Sequence, residues 1–230
     1  MKKVLVVLFV LLSLGTSVFA KQGFTLRGSF VYDFVNQRSA ESEAPGRTAT
    51  NWRANAFGAE FGVTYNFSDT LQFYADSSIG FYNKYKIGDT EITNTYKDKV
   101  AFLANGEHAG VAFNIALDPK MDLQVGGGIA YENARVTASD TSGDTTASIE
   151  FGIFSFGLGL YANFDYKFSD RMALAVTVHP DLMFLSGDHI ETSTSTIKDK
   201  TVTSDSTTLT TFGTGVSFKF NAAVGVKFAF

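Results

Sequence analysis

The chain has 230 residues, no cysteine, and 19 Lys and Arg against 23 Asp and Glu, a formal net charge of −4. That balance argues against a polyanion such as nucleic acid as partner, and the missing thiols exclude a disulfide framework and thiolate metal centres. The length suits one domain, and 23 Phe and 21 Gly against 1 Trp and 3 Pro make the placement of Phe and Gly the feature to follow.

The first segment reads as a secretory leader. Met1-Lys2-Lys3 is a basic head, Val4 to Leu14 is apolar except for Ser13, and Thr16-Ser17-Val18-Phe19-Ala20 supplies small residues around a cleavage point after Ala20. The apolar stretch is too short for a membrane-spanning helix, which takes about 20 residues. No cysteine follows, so the expected organisation is a leader over 1–20 and one mature domain over 21–230, with 17 basic against 23 acidic residues and a net charge of −6.

From Gly23 onward apolar residues alternate with polar ones. Phe24, Leu26, Phe30, Tyr32 and Phe34 share one parity, while Thr25, Arg27, Ser29 and Asp33 share the other, the pattern of a strand with one apolar face. The second run sets Phe57, Phe61, Val63, Tyr65 and Phe67 against Gly58, Glu60, Gly62 and Thr64. After Ser68-Asp69 a third places Leu71, Phe73, Ile79 and Phe81 opposite Gln72, Asp76 and Ser78, and a fourth ends with Val111, Phe113, Ile115 and Leu117. Beyond Asp118-Pro119-Lys120 the fifth strand carries Leu123, Val125, Ile129 and Tyr131. The sixth alternates from Phe154 to Phe168, the seventh from Met172 to Phe184 with Thr177, His179 and Asp181 on its polar face, and the eighth from Phe212 to Phe230.

Alternation does not say whether the apolar face points inward or into lipid; three features do. The predicted strands run for about 11 to 15 residues, which suits tilted membrane strands better than a soluble sheet. Their polar face is mostly Gly, Ala, Ser and Thr with scattered charge, a filling for a narrow lumen. Connections alternate between short turns, as at Ser169-Asp170-Arg171, and long polar loops, the arrangement of a membrane barrel with turns inside and loops outside. Aromatics agree: Phe24, Phe67, Phe73, Tyr166, Phe168, Phe228 and Phe230 fall beside the short turns, and Tyr32, Phe34, Phe81, Tyr131, Phe154 and Phe184 at the other end. The expected fold is all-β: an eight-stranded antiparallel up-and-down transmembrane barrel with short periplasmic turns and long extracellular loops.

The leader, the strand pattern and the last strand together resemble the small outer-membrane barrel proteins of the OmpX, OmpW and OmpA transmembrane-domain type. In that strand Val224, Val226, Phe228 and the terminal Phe230 look like the signal by which the barrel-assembly machinery recognises members of this class. The resemblance implies residence in a bacterial outer membrane with lipid and that machinery as partners. It does not fix an activity, since the class holds adhesins, defence proteins, small-solute pores and a few enzymes.

Within the wall the predicted site is a lumenal charge network. Counted from the short turns, Glu60 and Asp76 lie at similar depth on neighbouring strands, with Arg27 on the adjacent strand as their cation and His179 across the barrel. Tyr74 and Tyr161 add bulk at that depth. Two unpaired carboxylates in so narrow a space would be costly, so a cation is expected between them. No catalytic, metal or cofactor constellation stands out. Of His108, His179 and His189, the last two have a carboxylate two residues on, but no serine motif accompanies either. The loop set His189, Glu191 and Asp188 is too common to name a metal site.

Outside the wall, Thr192 to Thr196 and Thr207 to Thr211 flank Lys198-Asp199-Lys200, and such threonine runs are good strand formers. They and the segments 84–99 and 137–148 are expected to continue the wall beyond the membrane, where a sheet edge offers backbone groups to a host or extracellular ligand. Asn36 to Asn51, with Pro45-Gly46, shows no strand pattern. The resulting reading is a structural or surface-interaction barrel with a plugged lumen, adhesin-like and not an enzyme. The alternatives are a narrow pore for small or apolar solutes and, less favoured, a lipid-modifying enzyme.

Overall fold

A computed structural model of the chain describes residues 23–38, 51–81, 84–87, 90–93, 100–142, 144–198 and 201–230. The leader expected over 1–20, most of the loop from Asn36 to Asn51 and parts of 84–99 lie outside the described residues.

Among the described residues ten strands follow one another: β1 Phe24–Arg38, β2 Asn51–Asn66, β3 Leu71–Phe81, β4 Lys84–Ile87, β5 Thr90–Thr93, β6 Val100–Asp118, β7 Met121–Ser142, β8 Thr145–Lys167, β9 Met172–Lys198 and β10 Thr201–Ala229. Eight of them form the wall. Each wall strand pairs antiparallel with the next, and β1 pairs with both β2 and β10, so the sheet closes. Closure leaves no edge inside a bilayer, where an unpaired amide or carbonyl would find no water. The small hairpin β4–β5 extends the wall above β3 by pairing with the start of β2, Trp52 opposite Ile87.

Following the register once around fixes the geometry. Leu26 leads through Val63, Ala75, Ala109, Ile129, Leu158, Leu182 and Phe218 back to β1 at Asn36, a shear of ten residues on eight strands. The strands are therefore strongly tilted, and the interior is just wide enough for side chains to fill.

The two parities divide as the alternation requires. Phe30, Phe61, Phe113, Ile129, Leu158, Leu160 and Val224 point outward and are largely exposed, an apolar belt that makes sense only against lipid. Phe67, Phe73, Tyr166, Phe168, Phe228 and Phe230 are exposed beside the turns at 67–70 and 168–171. Arg27, Glu60, Asp76, Glu132, His179, Asp181 and Lys219 are buried inside.

The register shifts at three places, at Ala116–Asp118 on β6, at Thr214–Ser217 on β10 and on β9. Phe156 pairs with Leu185 but Gly157 with Met183, which leaves Phe184 as the extra residue of a β-bulge on β9. As a result Phe184 and Leu185 both face outward, while Met183 and Ser186 face the lumen.

Candidate functional site: the polar lumen

The interior is built in tiers along the barrel axis. Nearest the short turns, Lys227 on β10 meets Asp165 on β8 at 2.7 Å, and the same carboxylate accepts from Gln124 at 2.8 Å and, through its other oxygen, from Asn163 at 2.7 Å. Asn163 also donates to Gln124 and accepts from the Thr177 hydroxyl at 2.7 Å.

Above it lies the expected cluster. Arg27 reaches between β2 and β3, with its Nη2 2.7 Å from Glu60 Oε1 and 2.8 Å from Asp76 Oδ1. Glu60 and Asp76 are not register partners: Glu60 faces Ser78, and Asp76 faces Gly62. Gly62 makes the meeting possible, because a Cβ there would collide with Asp76 Oδ1 and approach the guanidinium to 3.0 Å. The second Asp76 oxygen lies 3.1 Å from His179 Nε2. His179 stacks on His108 at 4.0 Å between ring centroids, and His108 Nε2 lies 2.7 Å from Asp181 Oδ2. A chain of Asp76, His179, His108 and Asp181 thus crosses the lumen from β3 to β9. Tyr74 and Tyr161 stack beside it at 4.0 Å, both almost fully buried.

A third tier centres on Lys219 of β10. Its ammonium contacts Glu132 on β7 and lies 3.9 Å from Asp33 on β1, which also accepts from Asn221 at 2.7 Å. Gly106 on β6 leaves the space, since a Cβ there would collide with the Lys219 Nζ. Toward the outer mouth the lining turns apolar: Ala56, Ala104, Ala134, Val136 and Ile153 pack together inside the wall, with Ala54 and Phe151 against them.

The four residues expected to form the network, Arg27, Glu60, Asp76 and His179, are brought into one connected group. Sequence reasoning missed His108, Lys219, Glu132 and the Lys227–Asp165 tier. Parity alone would have put Lys219 and Lys227 inside, as both lie between outward Phe or Val residues. His189 is a β9 residue beyond the bulge, opposite Gly152 and Thr210, far along the strand from this group.

A closed barrel of eight antiparallel strands with an apolar exterior and a charged interior is the architecture of the small outer-membrane proteins of bacteria. No protein-family model matches the chain, and no curated protein matches it by sequence. Solved structures do. A major outer membrane protein from Thermus thermophilus aligns over 89% of this chain and 99% of its own at a TM-score of 0.54 and 11% identity. The outer membrane protein OprG from Pseudomonas aeruginosa aligns over 91% of this chain and 96% of its own, with a TM-score of 0.53 and 12% identity. Identities this low speak for the fold and leave the activity open.

Proposed function

We propose that this chain is a structural or surface-interaction barrel of a bacterial outer membrane, secreted behind the leader over 1–20 and inserted through its last strand, with a lumen plugged by its own side chains. The observation that carries the reading is the stack of tiers: Lys227, Arg27 and Lys219 each bridge strands to buried carboxylates at successive heights, and an apolar cluster lies above them. Opening a path for ions would require breaking at least one buried pair in each tier, which is strongly unfavourable when a charge is left without its partner. The histidines support a non-enzymatic role, because His108 and His179 are buried against each other and against carboxylates rather than beside a nucleophile in an accessible cleft.

The interaction surface is the tall sheet outside the membrane. β9 and β10 remain paired as far as Lys198 opposite Thr201, and β7 and β8 as far as Ser142 opposite Thr145, whereas β10 loses its β1 partner beyond Phe218. Among the described residues no strand pairs with that side of β10 from Thr201 to Val216, a polar edge for an extracellular ligand.

Single-channel recording on mature protein refolded into planar bilayers tests the plug. The expected record is a quiet membrane with no stable open level. Large, long-lived conductance steps from the unmodified barrel would favour the pore reading instead.

A further inference from the structure

On its lipid side the barrel carries a charged residue that neither the fold nor the lumen uses. Glu107 of β6 points outward, in one register row with Ser77 of β3, Tyr131 of β7 and Phe156 of β8. Its Oε1 accepts from the Ser77 hydroxyl at 2.8 Å, and Ser77 is its one hydrogen-bond partner among the described residues. At this height, level with the outer aromatic set, a carboxyl group on the lipid face costs little, and it offers a hydrogen-bond acceptor to whatever lies against the wall there.

Directly beneath this row runs a groove of about 610 Å³. Its lower bank is the next outward row, Ala75, Ala109, Ile129 and Leu158. Small side chains at Ala75, Ser77 and Ala109 let it cut down to the wall, and it runs diagonally from Phe61 on β2 to Phe184 and Leu185 at the bulge on β9. The outward side chains that line it are apolar apart from Ser77, Glu107 and Tyr131 on its upper bank, and its floor is wall that includes Asp76 and His108, whose side chains are buried in the lumen. It lies on the membrane-facing side, level at that bank with Tyr131 of the outer aromatic set.

We infer that this groove is a lipid site that seats an acyl chain of an outer-leaflet glycolipid, with a hydroxyl or amide donor at the head of that chain bound by Glu107. The chemistry selects the occupant. A carboxylate accepts hydrogen bonds, so the ligand must present a donor just below the interface. A hydroxylated, amide-linked chain has one there, whereas an ester-linked phospholipid chain offers only acceptors. A second copy of this chain packed symmetrically on the groove would enclose two Glu107 carboxylates in one interface, in a medium that screens like charges poorly, without supplying a donor from the groove's apolar lining.

The test is native mass spectrometry of refolded mature protein in detergent micelles, titrated with a disaccharide glycolipid bearing amide-linked 3-hydroxyacyl chains and, separately, with phosphatidylcholine, which has no hydrogen-bond donor in its chains or its headgroup. The wild type should retain the glycolipid in preference to phosphatidylcholine. Glu107→Leu should weaken glycolipid retention about tenfold, the loss of one charge-assisted hydrogen bond. Glu107→Gln should fall between, and Ala109→Phe, which fills the groove, should abolish retention. Val176→Phe, on β9 outside the groove, should change nothing. Each variant is first checked for a heat-dependent shift on gels, so that loss of the site is distinguished from loss of the barrel. Equal retention of glycolipid by wild type and Glu107→Leu, equal binding of the two lipids, or a dimer in place of bound lipid would each overturn the assignment.

Discussion

Lys219 leaves only 1% of its surface exposed and has two carboxylates in reach, Glu132 in contact and Asp33 at 3.9 Å. Burying an ammonium costs several kcal/mol, and the pairing compensates only while both members remain. Lys219→Met keeps the length of the side chain but strands Glu132, which is equally enclosed. Equilibrium unfolding in detergent micelles should show the variant less stable, by about 3 to 5 kcal/mol at most. Glu132→Gln added to it should recover part of the loss, because a neutral amide is cheaper to bury than a charge without a partner. An unchanged unfolding midpoint for Lys219→Met would mean that water reaches this tier. At this scale the inward parity of such residues was legible, since Lys219 lies between Phe218 and Phe220 in a clean alternation. The identity of its partners was not, because Glu132 and Asp33 lie on strands adjacent neither to each other nor, for Glu132, to β10.

Among the elements, β10 holds the barrel closed. Phe228 is paired on one side with Leu26 and on the other with Met172, and the Phe230 amide donates to the Phe24 carbonyl at 3.1 Å. The side chains of Phe228 and Phe230 remain outward and exposed at the membrane edge. They are therefore available for recognition before closure. Phe230→Ala should lower the amount of protein in the outer membrane by severalfold while export across the inner membrane continues. Fractionation of cells followed by immunoblotting reads both, and undiminished outer-membrane levels would count against Val224, Val226, Phe228 and Phe230 as an assembly signal. The strands themselves were readable wherever large apolar residues alternated with small or polar ones. β6 was readable only from Val111 onward, because its first half, with Ala104, Gly106, Ala109 and Gly110, offers little contrast between faces. That is the half that carries His108. The bulge at Phe184 was hidden for a different reason: two successive outward residues, Phe184 and Leu185, look like an ordinary apolar run when no partner strand is in view.

For the whole molecule, the shear of ten decides which residues meet. Glu60 and Asp76, two residues apart in register on neighbouring strands, were within reach of a count from the short turns, whereas Lys219 and Glu132 sit on strands that do not pair and come to a common height only because the wall is tilted, which no count along single strands supplies. Among the described residues the wall strands β7 to β10 are longer than β1 to β3, and β10 has no strand paired on its β1 side from Thr201 to Val216. Inside, Gly62 makes room beside Arg27, which ties β1 to Glu60 and Asp76 on β2 and β3, and Gly106 makes room for Lys219, which ties β10 to Glu132 on β7. The central claim is that these charges are dry and mutually paired. It is tested most directly by thermal unfolding of the wild type, Arg27→Ala and Arg27→Ala/Glu60→Gln in the same micelles. A filled lumen predicts that Arg27→Ala, which leaves Glu60 and Asp76 without their shared cation, lowers stability by about 3 to 5 kcal/mol at most, and that the double variant regains part of the loss. An Arg27→Ala barrel as stable as the wild type, with no effect of Glu60→Gln, would contradict the account and show the charges to be solvated in an open lumen.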